Sequence, residues 1–256
     1  MGARLSVVYI TKNAGQHFAR SLASVANIAD ELLVVDSGSQ DNTLILARNA
    51  GARIIERSWP GFAAQRQFAV VSAENPWILM MDADEILTET AAKAVRNAIL
   101  IRGPASVVGY RLERRSFLHG KEICHGDWAH DQVLRLFDRR CGAYRECLVH
   151  EAWETHGAIA RIPGCALYHY SYANYGELLD KMRRYAALNA QQVHQRGKVL
   201  HAYMPMTHAL AAFWRGYFWR LGFLDGVEGA AIAWTTALGA FMKYAMALEL
   251  RDHSQR

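Results

Sequence analysis

The chain lacks the features that would mark a metal-clustered, disulfide-stapled or membrane-spanning protein. Its four cysteines, Cys124, Cys141, Cys147 and Cys165, are scattered and form no CxxC pair. That excludes the usual spacing of a structural zinc site and favours a reduced, cytoplasmic chain. No GxGxxG follows the first strand-like segment, and no GxxxxGK[ST] loop occurs anywhere, which disfavours a dinucleotide fold and a P-loop enzyme. Behind Arg4 comes a short strand-like run without a small-residue cleavage site, so no secretory signal is read there. The uncharged run at residues 229–242 holds 14 residues, too few to cross a bilayer alone. Dense Lys/Arg blocks are absent too. The net charge of +5 suits an anionic ligand or surface, and a nucleic-acid partner is not expected.

What is present is a regular alternation. Of the 256 residues, 52% are apolar, enough to bury a core, and no low-complexity tract argues for disorder. Residues 5–10 (LSVVYI) read as a buried strand running into Thr11 and Asn13. A helix follows, with Phe18, Leu22, Val25 and Ile28 at helical spacing. Residues 31–36 form a second strand ending in Asp36, and Asp41 is placed to cap the helix that begins near Asn42. A strand at 52–56, a helix at 62–73 and a strand at 77–82 complete a pattern that predicts a parallel α/β sheet. Beyond a helix near 88–101, strands are expected at 107–118, 132–137 and 166–170, then an amphipathic helix at 174–195.

The densest chemistry lies at residues 77–85 (WILMMDADE), where five apolar residues meet Asp82, Asp84 and Glu85 with only Ala83 between the aspartates. The run reads as a strand buried on both faces. Carboxylates at its carboxyl end imply a crevice holding a cation or hydrogen-bond donors, where open α/β sheets place ligands. In an extended chain Asp82 and Asp84 share one side, about 7 Å apart. That suits a divalent metal, a sugar or both; the bland alternative is an acidic start to the next helix. Asp36 repeats the pattern at the second strand's end. His119, His125, His130, His156 and His169 match no metal-ligand spacing and read as structural or surface residues.

The segments SVVYITKN, VVDSGSQDNT, GFAAQRQFA and ILMMDADE together resemble the family 2 inverting glycosyltransferases. More narrowly, DADE, DQVLRLF, VHE, HYSY and GFLDGVEG resemble lipopolysaccharide-core glycosyltransferases of the WaaE type, over nearly the full chain. The resemblance implies a GT-A fold, a Rossmann-like α/β domain with a mixed, mainly parallel sheet, and a helical C-terminal appendage. The GT-A domain would span 1–200, with a donor half to about 105 and an acceptor half from about 106, and a tail at 201–256. It implies that Thr11, Asn13 and Asp36 contact the nucleoside, with Arg66 near the base and diphosphate. Asp82 would meet the ribose, with Ala83 between, and Asp84 and His150 would ligate Mg²⁺ or Mn²⁺, hard ions suited to oxygen ligands. Inversion needs a base for the acceptor hydroxyl. The resemblance points to Asp131, with Glu151 and Asp127 as alternatives.

The implied reaction moves a hexose, glucose from UDP-glucose, onto a lipopolysaccharide inner-core sugar. A polyprenyl-phosphate acceptor is the second reading, and an inactive nucleotide-sugar-binding membrane partner the third. From about residue 202 the chain is rich in Trp, Phe and Tyr, with Arg215 and Arg220 among them. That is the composition of a membrane-interface belt, and each basic residue near an anionic surface adds about 1 kcal/mol of attraction. Peripheral association with the inner face of a bacterial inner membrane, near a lipid-linked glycan acceptor, is therefore expected. The alternative use of the tail is homo-oligomer contact.

Overall fold

The computed structural model describes residues 3–100, 107–129, 131–145, 152–197 and 199–254. His130, His150 and Glu151 lie outside the described residues. The first third of the chain alternates as β1 (Leu5–Thr11), α1 (Phe18–Val25), β2 (Glu31–Asp36), α2 (Thr43–Asn49), β3 (Arg53–Glu56), α3 (Phe62–Ser72) and β4 (Trp77–Met81). β1 lies between β2 and β4, β3 lies outside β2, and all these pairings are parallel. β1, β2 and β4 are largely apolar because both their faces are covered, whereas β3, at the edge, carries exposed Arg53 and Glu56. Val7, Tyr9, Val34, Leu79 and Met81 face one cluster, shared with α1. Val8, Leu33, Val35, Ile78 and Met80 face another, shared with α3. This is the period-two division of a buried parallel sheet.

After β4 the chain turns: the Glu85 amide donates to the Asp82 carbonyl at 3.0 Å. Then follow β5 (Glu85–Leu87), α4 (Glu89–Leu100), β6 (Val107–Leu118), β7 (Lys121–Glu122), β8 (Asp131–Asp138), β9 (Gly142–Tyr144), β10 (Trp153–Thr155) and β11 (Ala158–Tyr172). The sheet is mixed, in the order β3-β2-β1-β4-β8-β6-β11-β5, with β7 on β6. β8 joins β4 antiparallel, and β5 joins β11 antiparallel. β5 therefore ends a path that starts from β4, although only a tight turn separates the two in sequence. The sheet must curl back on itself around residues 82–84.

That turn corrects one expectation. Asp82 and Asp84 do not project from one extended strand at pleat spacing, because the chain reverses direction between them. The DAD segment is the tip of the reversal.

The chain divides into two bodies, one holding residues to Arg115 with β8–β10 and β11 to Tyr170, the other holding residues 116–129 and 171 onward. The second therefore includes α5 (Tyr175–Gln195) together with α6 (Met204–Phe213) and α7 (Gly226–Ser254), a wider unit than a tail starting at 201. Asn174 caps α5 by accepting from the Glu177 amide at 2.9 Å, and Glu177 accepts from the Ala173 amide at 2.9 Å, a capping-box arrangement. Leu118, Ile123, Leu178 and Ile232 pack together, as do Ala190, Val193, Tyr244 and Ala247. Between α6 and α7 run a π-helical turn, Trp214–Trp219, and a 3-10 turn, Gly222–Asp225. The stretch Gly222–Arg251, which contains an 18-residue window of mean hydropathy 1.2, is long and apolar enough to cross a membrane by length and composition. It exceeds the 14-residue uncharged run because the helix continues through Glu228 and Lys243.

Gly229 shows how closely this second body is packed. A Cβ added there would lie 1.8 Å from the Gly222 carbonyl oxygen. We predict that Gly229→Ala lowers stability by about 1–3 kcal/mol, the usual penalty of overpacking. A thermal melt indistinguishable from wild type would show that the approach is looser than described.

Candidate active site

The site assembles at the carboxyl ends of β1, β2 and β4. The β1–β2 register sets Thr11 beside Asp36, and the Thr11 hydroxyl donates to Asp36 Oδ1 at 2.8 Å. Asp36 is fully buried. It also accepts from the Gly38 and Ser39 amides at 2.9 and 2.8 Å and from the Ser39 hydroxyl at 2.6 Å. Four donors repay the desolvation of this carboxylate. Asn13, at φ +53°, adopts a left-handed conformation that asparagine tolerates better than most residues. Its amide donates to Ser39 Oγ at 2.7 Å, and its side-chain oxygen accepts from the Gln40 amide at 2.8 Å. Thr11, Asn13 and Asp36 thus come together and lock the two loops to each other.

Arg66 reaches the same corner from α3, its Nη2 2.8 Å from Asp82 Oδ1. The other Asp82 oxygen accepts from Arg135 Nη2. That same Nη2 stands 2.5 Å from Glu85 Oε1, and Glu85 Oε2 accepts from the Asp82 amide at 3.1 Å. Burial raises the Asp82 pKa, but Arg135 and then Arg66 more than offset it and hold the carboxyl well below its ordinary range. Glu85, fully buried, goes the other way: desolvation and the neighbouring Asp82 charge outweigh Arg135 and push its pKa up. Desolvation works against the Arg135 charge, yet the two carboxylates raise its pKa above the ordinary guanidinium value.

Arg135 was not singled out from the sequence. It sits between Leu134 and Leu136 in β8, which pairs with β4 through Leu136 and Leu79. A strand position among apolar neighbours is a costly place for an unpaired cation. That was the available signal that carboxylates would meet it.

Asp84 is the accessible member of the cluster, its side chain 39% exposed, with Oδ2 3.4 Å from His169 Nε2. The β11–β5 register places His169 opposite Glu85, and the Tyr170 amide donates to the Asp84 carbonyl at 3.0 Å. His169 read as structural from spacing alone; the sheet brings it to the tip of the turn. His17 stacks on Tyr170 at 4.6 Å between centroids, and the Arg20 guanidinium lies over the same ring at 5.1 Å. Burial and Arg20 lower the His17 pKa, against an opposing pull from Asp84. Among the described residues no group of three or more His, Cys, Asp or Glu gathers as a metal site. Asp84 and His169 could therefore supply two ligands, with phosphate or water oxygens completing the shell of a hard cation.

Of the candidate bases, Asp131 begins β8 opposite Arg114. Arg114 Nε and Nη2 both approach its Oδ2, at 3.0 and 2.5 Å. Asp127, in the second body, is clamped by Arg220 at 2.7 Å and by Arg215 at 3.3 Å, with its side chain 12% exposed. Glu151 and His150 lie outside the described residues.

Two interlocked loops at strand ends and a carboxylate turn on a mixed α/β sheet make up the site, and comparison with known proteins gives its class. The model for glycosyl transferase family 2 matches residues 6–173, more than half of the chain, which therefore belongs to that family; its fold is GT-A. The chain is 30% identical, over 94% of its own length and 93% of the relative's, to the lipopolysaccharide core biosynthesis glycosyltransferase LpsC of Rhizobium meliloti. It is 26% identical, over 98% of its length and 89% of the relative's, to an uncharacterised glycosyltransferase of Rickettsia prowazekii. Among solved structures, glucosyl-3-phosphoglycerate synthase from Mycobacterium tuberculosis with Mn²⁺ and UDP-glucose superposes on 45% of this chain and 44% of its own, at TM-score 0.37 and 22% identity. A likeness so partial has no bearing on substrate.

The buried charge cluster makes a direct prediction. Arg135→Met removes the cation shared by Asp82 and Glu85, and stability should fall by about 3–5 kcal/mol, as when one partner of a buried pair is deleted. Urea unfolding measures this. A loss no larger than that of the half-exposed Arg53→Met would show that Arg135 is not the keystone.

Proposed function

We propose that the protein is a metal-dependent inverting glycosyltransferase that moves a hexose, glucose from UDP-glucose, onto an inner-core sugar of lipopolysaccharide. The observation that carries this reading is the partly exposed Asp84 at the tip of the DAD turn, paired with the buried His169, beside Arg66 and the locked loops of Thr11, Asn13 and Asp36. The 30% identity to LpsC along nearly the whole chain favours the acceptor class.

In this reading the 11–15 and 37–41 loops hold the nucleoside, and Asp82 shares its Oδ1 between Arg66 and the ribose. A carboxylate oxygen has lone pairs for both. Arg66 faces the diphosphate, held in place by Asp82. Mg²⁺ or Mn²⁺ bound at Asp84 would neutralise charge developing on the nucleoside diphosphate leaving group. Among the described residues Asp84 and His169 would hold it, with His150 a further proposed contact. Asp131, half-exposed, takes the proton of the attacking acceptor hydroxyl. Asp127 is the weaker choice because Arg215 and Arg220 both claim its carboxylate.

The second reading, a polyprenyl-phosphate acceptor, draws on a dolichyl-phosphate hexose transferase of Haloferax volcanii. That relative is 36% identical to this chain, but over only 32% of it. Offering labelled UDP-glucose with truncated lipopolysaccharide or with undecaprenyl phosphate separates the two. Asp84→Ala should remove metal-dependent turnover, by about a hundredfold or more if the metal's electrostatic contribution is typical of such transition-state contacts. His169→Ala should raise the Mn²⁺ concentration needed for half-maximal rate. Full activity of Asp84→Ala would sink the assignment.

Peripheral membrane association belongs to the same reading. Among the described residues, 12 of the 20 exposed large apolar side chains lie between Tyr203 and Leu238, a concentration that marks a docking face rather than scattered exposure. Trp214, Phe218 and Trp219 edge an open apolar hollow of about 830 Å³ with Leu210 and Phe213. The double change Trp214→Ser and Trp219→Ser should at least halve co-sedimentation with vesicles containing phosphatidylglycerol, each buried indole contributing on the order of a few kcal/mol. Unchanged sedimentation, or a loss of dimer in its place, would assign the face to another use.

A further inference from the structure

Arg114 grips Asp131 in an asymmetric way. A guanidinium meeting a carboxylate squarely uses two nitrogens for two oxygens. Here Nε and Nη2 both go to Oδ2, at 3.0 and 2.5 Å. Among the described residues Oδ1 has no partner, and the Asp131 side chain is 37% exposed. One oxygen is fixed while the other is left for a ligand.

The remaining terminal nitrogen, Arg114 Nη1, lies 3.8 Å from Glu85 Oε1. Glu85 is fully buried and shares Arg135 with Asp82, whose other oxygen meets Arg66. Basic and acidic groups therefore alternate along one line of contacts: Arg66, Asp82, Arg135, Glu85, Arg114, Asp131. The line begins at the proposed diphosphate contact and ends at the proposed base. The β6–β8 register, which pairs Arg114 with Asp131, fixes its last link.

We infer that Arg114 is a positioning residue: it ties Asp131 to the buried Glu85 and leaves Asp131 Oδ1 open to the acceptor hydroxyl. The inference rests on the proposed role of Asp131. In the step it serves, the acceptor hydroxyl's proton passes to Oδ1 as its oxygen bonds to the anomeric carbon. The bond from that carbon to the diphosphate oxygen breaks, and the nucleoside diphosphate leaves with the electron pair. The base must sit within hydrogen-bond reach of that hydroxyl. A displacement of about 1 Å can lower the rate by about a hundredfold. A plain cross-strand ion pair would leave the rate nearly untouched.

The test uses the full chain with Mn²⁺, labelled UDP-glucose and truncated lipopolysaccharide, and compares Arg114→Ala, Arg114→Lys, Asp131→Asn and the double variant Arg114→Ala/Asp131→Asn. Arg114→Ala should lower kcat by about a hundredfold, with donor KM and UDP affinity within about twofold of wild type. Added guanidinium ion should restore part of that loss, and Arg114→Lys, which keeps the charge without the fork, should fall between. The double variant should be no slower than Asp131→Asn, as expected of residues that act as a unit. A kcat within about threefold of wild type for Arg114→Ala, while Asp131→Asn is inactive, overturns the positioning role alone, as does a double variant slowed by both factors multiplied. An Asp131→Asn variant as fast as wild type, or an unaltered chain that turns over neither substrate, overturns the functional reading and this inference with it. If Arg114→Ala does not fold, Arg114→Lys decides by the same comparison of kcat with UDP affinity.

Discussion

One cation inside the sheet governs the geometry of the site. Arg135 is 5% exposed and touches both Asp82 and Glu85 through a single nitrogen. An unpaired guanidinium at that depth would be untenable, and so would the fully buried Glu85 carboxylate without it. The three groups can be buried only together, and their joint burial fixes where the β4–β5 turn sits against β8. Asp84, at the tip of that turn, is placed by a contact it does not itself make.

Burial also divides the carboxylates by task. Asp36 spends its lone pairs on its own loop and on Thr11, and so fixes that loop's shape. Asp82 and Glu85 are bound into the charge line. Asp127 holds the 126–128 turn to the segment carrying Arg215 and Arg220 in the second body. His125 is fixed there as well, its amide donating to Asp225 at 2.7 Å. Asp84 and Asp131 alone among these combine substantial exposure with incomplete pairing, and chemistry at a solvent-reachable centre needs both properties. Membership of glycosyl transferase family 2 gives the class of reaction, and this division says which acids are free to take part.

The second body poses a different physical problem. Its core positions pack well, yet Trp214, Trp219 and Trp234 stay 62%, 80% and 64% exposed. Indoles left in water in such number are normal neither for a folded core nor for a plain surface. The membrane face proposed above would satisfy them, with one end of each ring wet and the other apolar.

The parallel half of the sheet was legible from residue order alone. Strands that are apolar at most positions on both faces, each ending near Thr11, Asp36 or Asp82 and separated by helical spacing, permit few other architectures, because period and burial are local properties. Thr11, Asn13 and Asp36 were legible as a group for the same reason, since each stands at or just beyond a strand's end. The turn at 82–84, the pairing of Asp84 with His169, and the partners of Asp82 and Asp131 were not. Arg135 lies 53 residues from Asp82 in sequence, and His169 stands opposite Glu85 only because β11 and β5 share a register. Local pattern carries hydrophobic period and strand ends, whereas charge pairing depends on which strands become neighbours. That choice is made by the curl of the whole sheet.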